Sequence, residues 1–201
     1  MQRKTIIILA IVGIILLLCL AIVGWLTGMY NSLVKLDEGV NQAWAQVQNQ
    51  YQRRVDLIPN LVEVVKGYAA HEREVFEKVA EARASVGKIQ MTPEILRDPQ
   101  LFRQFQEAQS GLTSALSRLL AVAENYPQLK ANENFMQLQV QVEGTENRIA
   151  VERQRFNQVV QEYNTKVRQF PASMLAGMYG FGQKEYFKSE PGAEKVPQVK
   201  F

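Results

Sequence analysis

The sequence predicts an all-α protein, in which one N-terminal transmembrane helix continues into an up-down four-helix bundle that ends in an irregular C-terminal tail. Three observations predict it. Residues 6–26 carry no charge. Four later stretches repeat apolar side chains at three- and four-residue steps, and none shows the two-residue alternation of a strand. The chain divides into an anchor over 1–29, a bundle over 30–170 and a tail over 171–201.

About 21 uncharged residues at about 1.5 Å each span about 31 Å, close to the roughly 30 Å hydrocarbon core of a bilayer. A cleaved signal peptide is the alternative, but its apolar run is usually about 7–15 residues and no small-x-small cleavage site follows. Cys19, the one cysteine, falls in this run, so no intramolecular disulfide forms. Leu16, Leu17 and Leu18 before it do not make a lipoprotein signal. Trp25 and Tyr30 mark the far interface. Arg3, Lys4 and the terminal amine precede the span and only Lys35 follows it before Arg53, a bias that favours a cytoplasmic N-terminus and an extracytoplasmic bundle.

The net charge of +3 is small and the signs are interspersed. No single-signed field is available to attract nucleic acid. Without the anchor, roughly 170 residues remain, enough for one domain that hides about 70% of its unfolded surface. No metal or disulfide is needed to hold it together.

Leu33, Leu36, Val40, Ala43, Val47 and Gln50, with Trp44 and Tyr51 alongside, form the first stripe. This helix is expected to continue from the span, because no proline occurs before Pro59. Leu61, Val65, Tyr68, Glu72, Val75, Val79, Ala82 and Val86 form the second, ending near Gly87. Between them the stretch 48–65, QNQYQRRVDLIPNLVEVV, reads as a corner with paired arginines, an aspartate and a proline. Asp98 caps a third helix with Pro99 at its first position. Its stripe, Leu101, Phe105, Ala108, Leu112, Ala115, Leu119 and Val122, is stopped by Asn125, Tyr126 and Pro127. Asn132 caps a fourth, with Phe135, Leu138, Val142, Thr145, Ile149, Glu152, Phe156, Val159 and Tyr163. Four stripes of this kind bury one another in a bundle packed at about 20°.

The segments YNSLVKLDEGVNQAW, QYQRRVDLIPNLVEVVKGYAAHE, ENYPQLKANENF, EGTENRI and the ending EYF…GAEKVPQVKF resemble the LemA family over nearly the whole chain after the span. The resemblance implies a tethered four-helix bundle in a bacterial membrane, with no established enzymatic activity. Some relatives look like lipoproteins, with a cysteine just before the Tyr-Asn pair. This chain has Met29 before Tyr30, so its anchor is the helix.

Chemistry finds little support. A di-iron bundle needs a Glu-x-x-His motif on each of two helices, yet His71 is the only histidine and Tyr68 stands three residues before it. Hydrolytic triads lack a base, and no cofactor is called for. Glu72 and Glu152 occupy stripe positions on different helices, where an unpaired carboxylate costs several kcal/mol, so Arg73 or Arg153 is the expected partner. They are a candidate buried polar pairing and relay; the alternative is a place at the bundle edge or ion pairing that fixes register.

A straight first helix carries the corner about 35 to 40 Å from the membrane, several times the Debye length of about 8 Å. Arg53, Arg54, Asp56, Pro59, Asn60 and Tyr126 are thus a candidate interaction or turn site at the distal tip. They either meet a partner or cap helix ends, with Arg53 or Arg54 bridging to turn carbonyls. Near the membrane, Met174, Leu175, Met178, Tyr179 and Phe181 are candidates for contact with lipid or with another subunit, Lys184 and Lys188 facing headgroups. Val199, Lys200 and Phe201 have the form that sheet-edge docking domains accept.

Three functional readings follow. The first is a non-enzymatic scaffold with envelope protein partners, itself a possible homo-oligomer. The second is a receptor-like bundle that binds a small ligand and transmits a shift along the first helix. The third is a metal-dependent enzyme.

Overall fold

A computed structural model describes residues 2–188. Helix α1 runs without interruption over Gln2–Tyr68, about 100 Å at 1.5 Å per residue. Its first part is an apolar rod on which Ile7, Leu17, Leu20 and Trp25 stand more than half exposed, and it is long and apolar enough to cross a membrane. From Leu33 onward one face is buried: Val40, Trp44, Val47, Tyr51, Arg54, Ile58, Leu61 and Val65 follow at three- and four-residue steps after an opening step of seven. That stripe keeps its phase straight through Pro59.

The expected corner at 48–65 is therefore a stretch of helix. Pro59 lies on the exposed side and removes one backbone hydrogen bond of the helix. A proline inside a helix costs about 3 kcal/mol. Ile58 and Leu61 beside it are 2% and 0% exposed, and each such side chain contributes about 1.5–3 kcal/mol on burial, so packing outweighs the break. The turn comes later, where Glu72 N–H donates to the Ala69 carbonyl at 3.0 Å. The second stripe is thereby divided between the end of α1 and a short helix α2, Arg73–Gly87.

A 3₁₀ turn at Pro93–Arg97 leads to α3, Pro99–Asn125. Asp98 Oδ1 accepts from the amides of Gln100 and Leu101 at 2.8 and 3.1 Å, as a cap should. A single turn α4, Pro127–Lys130, precedes α5, Glu133–Arg168, which Asn132 caps through the Phe135 amide at 3.0 Å. The tail is less irregular than expected, since Ala172–Tyr179 form a helix, α6, closed by Gly180 at φ 75°, a conformation that costs glycine little.

Helix α1 packs along α5 and α2 along α3, and the chain direction alternates through the four. Helix α2 has 15 residues against 36 in α5, so it covers only the distal half. There Val79 and Val86 join Leu61, Leu119 and Phe135 in one apolar cluster. In the membrane-proximal half the 3₁₀ turn and residues 181–188 take its place. Leu96 and Phe187 close a second cluster around Trp44, whose ring centroid lies 5.4 Å from Phe105, 5.7 Å from Phe156 and 6.1 Å from Phe187.

Two asparagines hold the 181–188 segment. Asn164 Nδ2 donates to the Lys184 carbonyl and its Oδ1 accepts from the Lys184 amide, both at 2.9 Å. Asn157 repeats the pattern on Phe187 at the same distances. The segment thus climbs α5 away from the membrane, its backbone satisfied by side-chain amides instead of a neighbouring strand. Lys184 is buried and its Nζ forms an ion pair with Asp37 at 2.8 Å. Val199, Lys200 and Phe201 lie outside the described residues.

Candidate functional site

Between the two apolar clusters lies a polar layer built on Arg54. The helical register places Arg54 at a core position of α1, where it is 1% exposed. Its Nη1 donates to Thr113 Oγ1 on α3 at 2.8 Å and to Glu146 Oε1 on α5 at 2.7 Å. Its Nη2 reaches the Gln109 carbonyl at 3.4 Å and donates to Gln109 Oε1. Thr113 Oγ1 donates in turn to the Gln109 carbonyl at 3.2 Å. The guanidinium also lies 5.2 Å from the Tyr51 ring centroid, within cation–π range. Two buried donors of this layer, Arg54 Nε and Gln109 Nε2, have no hydrogen-bond partner among the described residues. Beside it a cavity of about 530 Å³ opens between α3 and α5.

This placement corrects the expected tip. Arg53, Pro59 and Asn60 are exposed along α1 with Asp56, which accepts from Gln52 Nε2 at 2.7 Å instead of pairing with an arginine. The bonds of Arg54 reach other helices, not a turn. The distal end is made by 69–72 and 126–132: Tyr126 donates to Glu72 Oε1 at 3.1 Å and Asn132 Nδ2 donates to Tyr68 Oη at 2.9 Å. The bond to Glu72 raises the Tyr126 pKa. The expected partners also change. Glu72 is met by Tyr126 and not Arg73, and Glu152 forms an ion pair with Arg155 at 2.9 Å and not with Arg153. The two glutamates lie in separate places, near the α2 start and on α5.

Near the membrane the other predicted group comes together. The Tyr30 ring lies 4.9 Å from Tyr179 and 5.9 Å from Phe181, which fixes α6 against α1 one turn beyond Trp25. Leu175 and Phe181 pack against the proximal cluster, whereas Met174, Met178 and Tyr179 stay exposed with Phe170. A mostly apolar cavity of about 700 Å³ lies between these side chains and Trp25 and Leu26. Lys184 and Lys188 do not face headgroups: the first is buried on Asp37, and the second lies beside the Arg54 cavity. Tyr163, which donates to the Gly182 carbonyl at 2.9 Å, has its pKa pushed up to about 12 by burial and by the nearby Asp37 carboxylate.

Sequence reasoning missed Arg54 as a core residue, although the steps Val47, Tyr51, Arg54, Ile58 and Leu61 carry the signal. It also missed Asn157, Asn164 and Lys184, for which periodicity holds no sign. Among the described residues no three His, Cys, Asp or Glu side chains gather as a metal site would require.

Two magnetosome proteins MamQ of Paramagnetospirillum magneticum are 27% identical to this chain over 92% of it and 74% of their own length. MamQ of Magnetospirillum gryphiswaldense is 27% identical over 90% of this chain and 74% of its own. Protein LemA of Metamycoplasma hominis is 22% identical over 74% of this chain and 64% of its own. None of these names specifies a reaction. Residues 43–201 match the sequence profile of the LemA family, and the chain belongs to that family.

Proposed function

We propose that this protein is a membrane-anchored, non-enzymatic scaffold of the bacterial cell envelope, with its bundle on the extracytoplasmic side. One observation carries the reading: α1 is a single helix from the apolar span into the bundle core, so the bundle stands at a set height and orientation above the bilayer. The collar of Phe170, Met174, Met178 and Tyr179 rests on lipid beside Trp25 and Tyr30, and the exposed distal faces meet envelope proteins. The names of the MamQ relatives attach them to the magnetosome, which agrees with a role in assembly.

Photo-crosslinking residues placed in living cells at Met178 and at Arg53, Asn60 and Lys130 test it. Lipid adducts at 178 and discrete protein adducts at one or more distal positions are expected. Distal positions that yield no protein adduct would overturn the scaffold reading, and protein adducts at 178 would make the collar a subunit contact.

A further inference from the structure

We propose that the cleft between α3 and α5 beside Arg54 binds a small, singly charged organic carboxylate. The argument begins at its deep end. Arg54 and Gln109 are 1% and 4% exposed, and each has a donor without a partner among the described residues, Nε and Nε2. Leaving a buried donor without a hydrogen bond destabilises the fold, and both residues line the same cavity. At about 530 Å³ it falls in the range of roughly 300–1,000 Å³ typical of small-molecule sites.

The chemistry of the walls selects the ligand. Ile149, Ala150 and the Tyr51 ring give an apolar side, which suits an organic body. Arg103, Arg153 and Lys188 join Arg54 against the carboxylates of Glu107 and Glu146, so cations exceed anions by two. That surplus attracts an anion, and the apolar side favours an organic monoanion over phosphate, whose higher charge costs more to take out of water. Arg153 is held in position at the rim by its bond to the Lys188 carbonyl at 3.1 Å and by stacking 4.6 Å from the Phe187 ring centroid.

Glu146 occupies the position that the ligand would take. Its oxygen sits 2.7 Å from Arg54 Nη1, yet its side chain is 32% exposed against 1% for Arg54. It can turn outward to water at small cost while an incoming carboxylate takes the planar guanidinium edge, which suits such a group. Glu146 is then a competitor of the ligand as well as a partner of Arg54.

The test uses the full chain in lipid nanodiscs with benzoate as probe, and benzamide and inorganic phosphate as controls. Melting temperature and saturation-transfer NMR are followed up to about 10 mM, where a weak site with Kd near 1 mM saturates. Benzoate is expected to give a saturable rise in melting temperature that benzamide does not give and phosphate gives more weakly. Binding should tighten about tenfold in Glu146→Gln, which removes the competing charge, and weaken at least about tenfold in Ser110→Trp, which fills the cleft. A polar layer with a structural role alone would not tighten binding in the first variant. No saturable effect of benzoate, an equal effect of benzamide, a stronger effect of phosphate, or undiminished binding in Ser110→Trp would each overturn the proposal. If Glu146→Gln does not fold, the Ser110→Trp comparison decides by itself.

Discussion

Arg54 Nη1 and Glu146 Oε1 lie 2.7 Å apart across 92 residues of sequence, and this ion pair ties the first helix of the bundle to the last. The two ends are unequal, one buried and one a third exposed. Removing the exposed end strands a buried charge, which costs about 3–5 kcal/mol. Replacing the buried end by methionine leaves a glutamate that water can reach, so the larger cost there is Gln109 Oε1 losing its donor, about 1–3 kcal/mol. Glu146→Leu should therefore destabilise more than Arg54→Met, and the double variant less than the sum. Chemical denaturation of the four proteins checks this, and a Glu146→Leu protein as stable as the parent would refute it.

Pro59 distinguishes a helix from a corner. In a corner its fixed φ would help the turn, and alanine would destabilise. Inside α1, on the exposed face, alanine restores one backbone hydrogen bond. Pro59→Ala should raise stability by roughly 1–3 kcal/mol, seen as a higher melting temperature.

Asn164 makes two bonds to the backbone of Lys184, one given and one received. Alanine leaves both backbone groups unpaired, at about 2 kcal/mol for the pair. Aspartate keeps the bond from the Lys184 amide and loses the one to its carbonyl. Hydrogen exchange at residues 184–187 should rise in Asn164→Ala and rise less in Asn164→Asp. Equal protection in both variants and the parent would show that the segment is held elsewhere.

Tyr163 sets an alkaline limit. Its pKa stands at about 12 in the folded protein against 10 ordinarily, so folding favours the neutral phenol. The contribution is complete below pH 10 and is lost as pH rises towards about 12. The unfolded chain ionises first, so stability should fall across that window, and the fall should be shallower in Tyr163→Phe. Parallel slopes for the two proteins in denaturation series across it would count against the assignment.

The bundle was legible in the sequence because its helices declare themselves through periodic burial and through the caps Asp98 and Asn132, which act over three residues. The corner at 48–65 was misread because Pro59 and two arginines are local signals of a turn, whereas the decisive quantity was the phase shared by Tyr51, Ile58 and Leu61. Arg54 breaks the apolar rule at a core position, and its partners Gln109, Thr113 and Glu146 lie on α3 and α5. No local pattern pairs them. The same holds for Asn157 and Asn164, whose amides replace a strand that does not exist. Near the membrane, the composition around Met174 and Tyr179 did show an apolar group, but not that Lys184 leaves it for Asp37.

The uninterrupted α1 also makes the span and the bundle one shaft. Each residue of an α-helix advances the phase by about 100° and the height by about 1.5 Å. A single alanine inserted between Trp25 and Tyr30 would thus turn every outward face of the bundle by more than a quarter revolution relative to the span, while hardly changing its distance from the bilayer. Azimuth and elevation are separable by mutation, and a neighbour that reads the direction of one face would lose it while one that reads only distance would not.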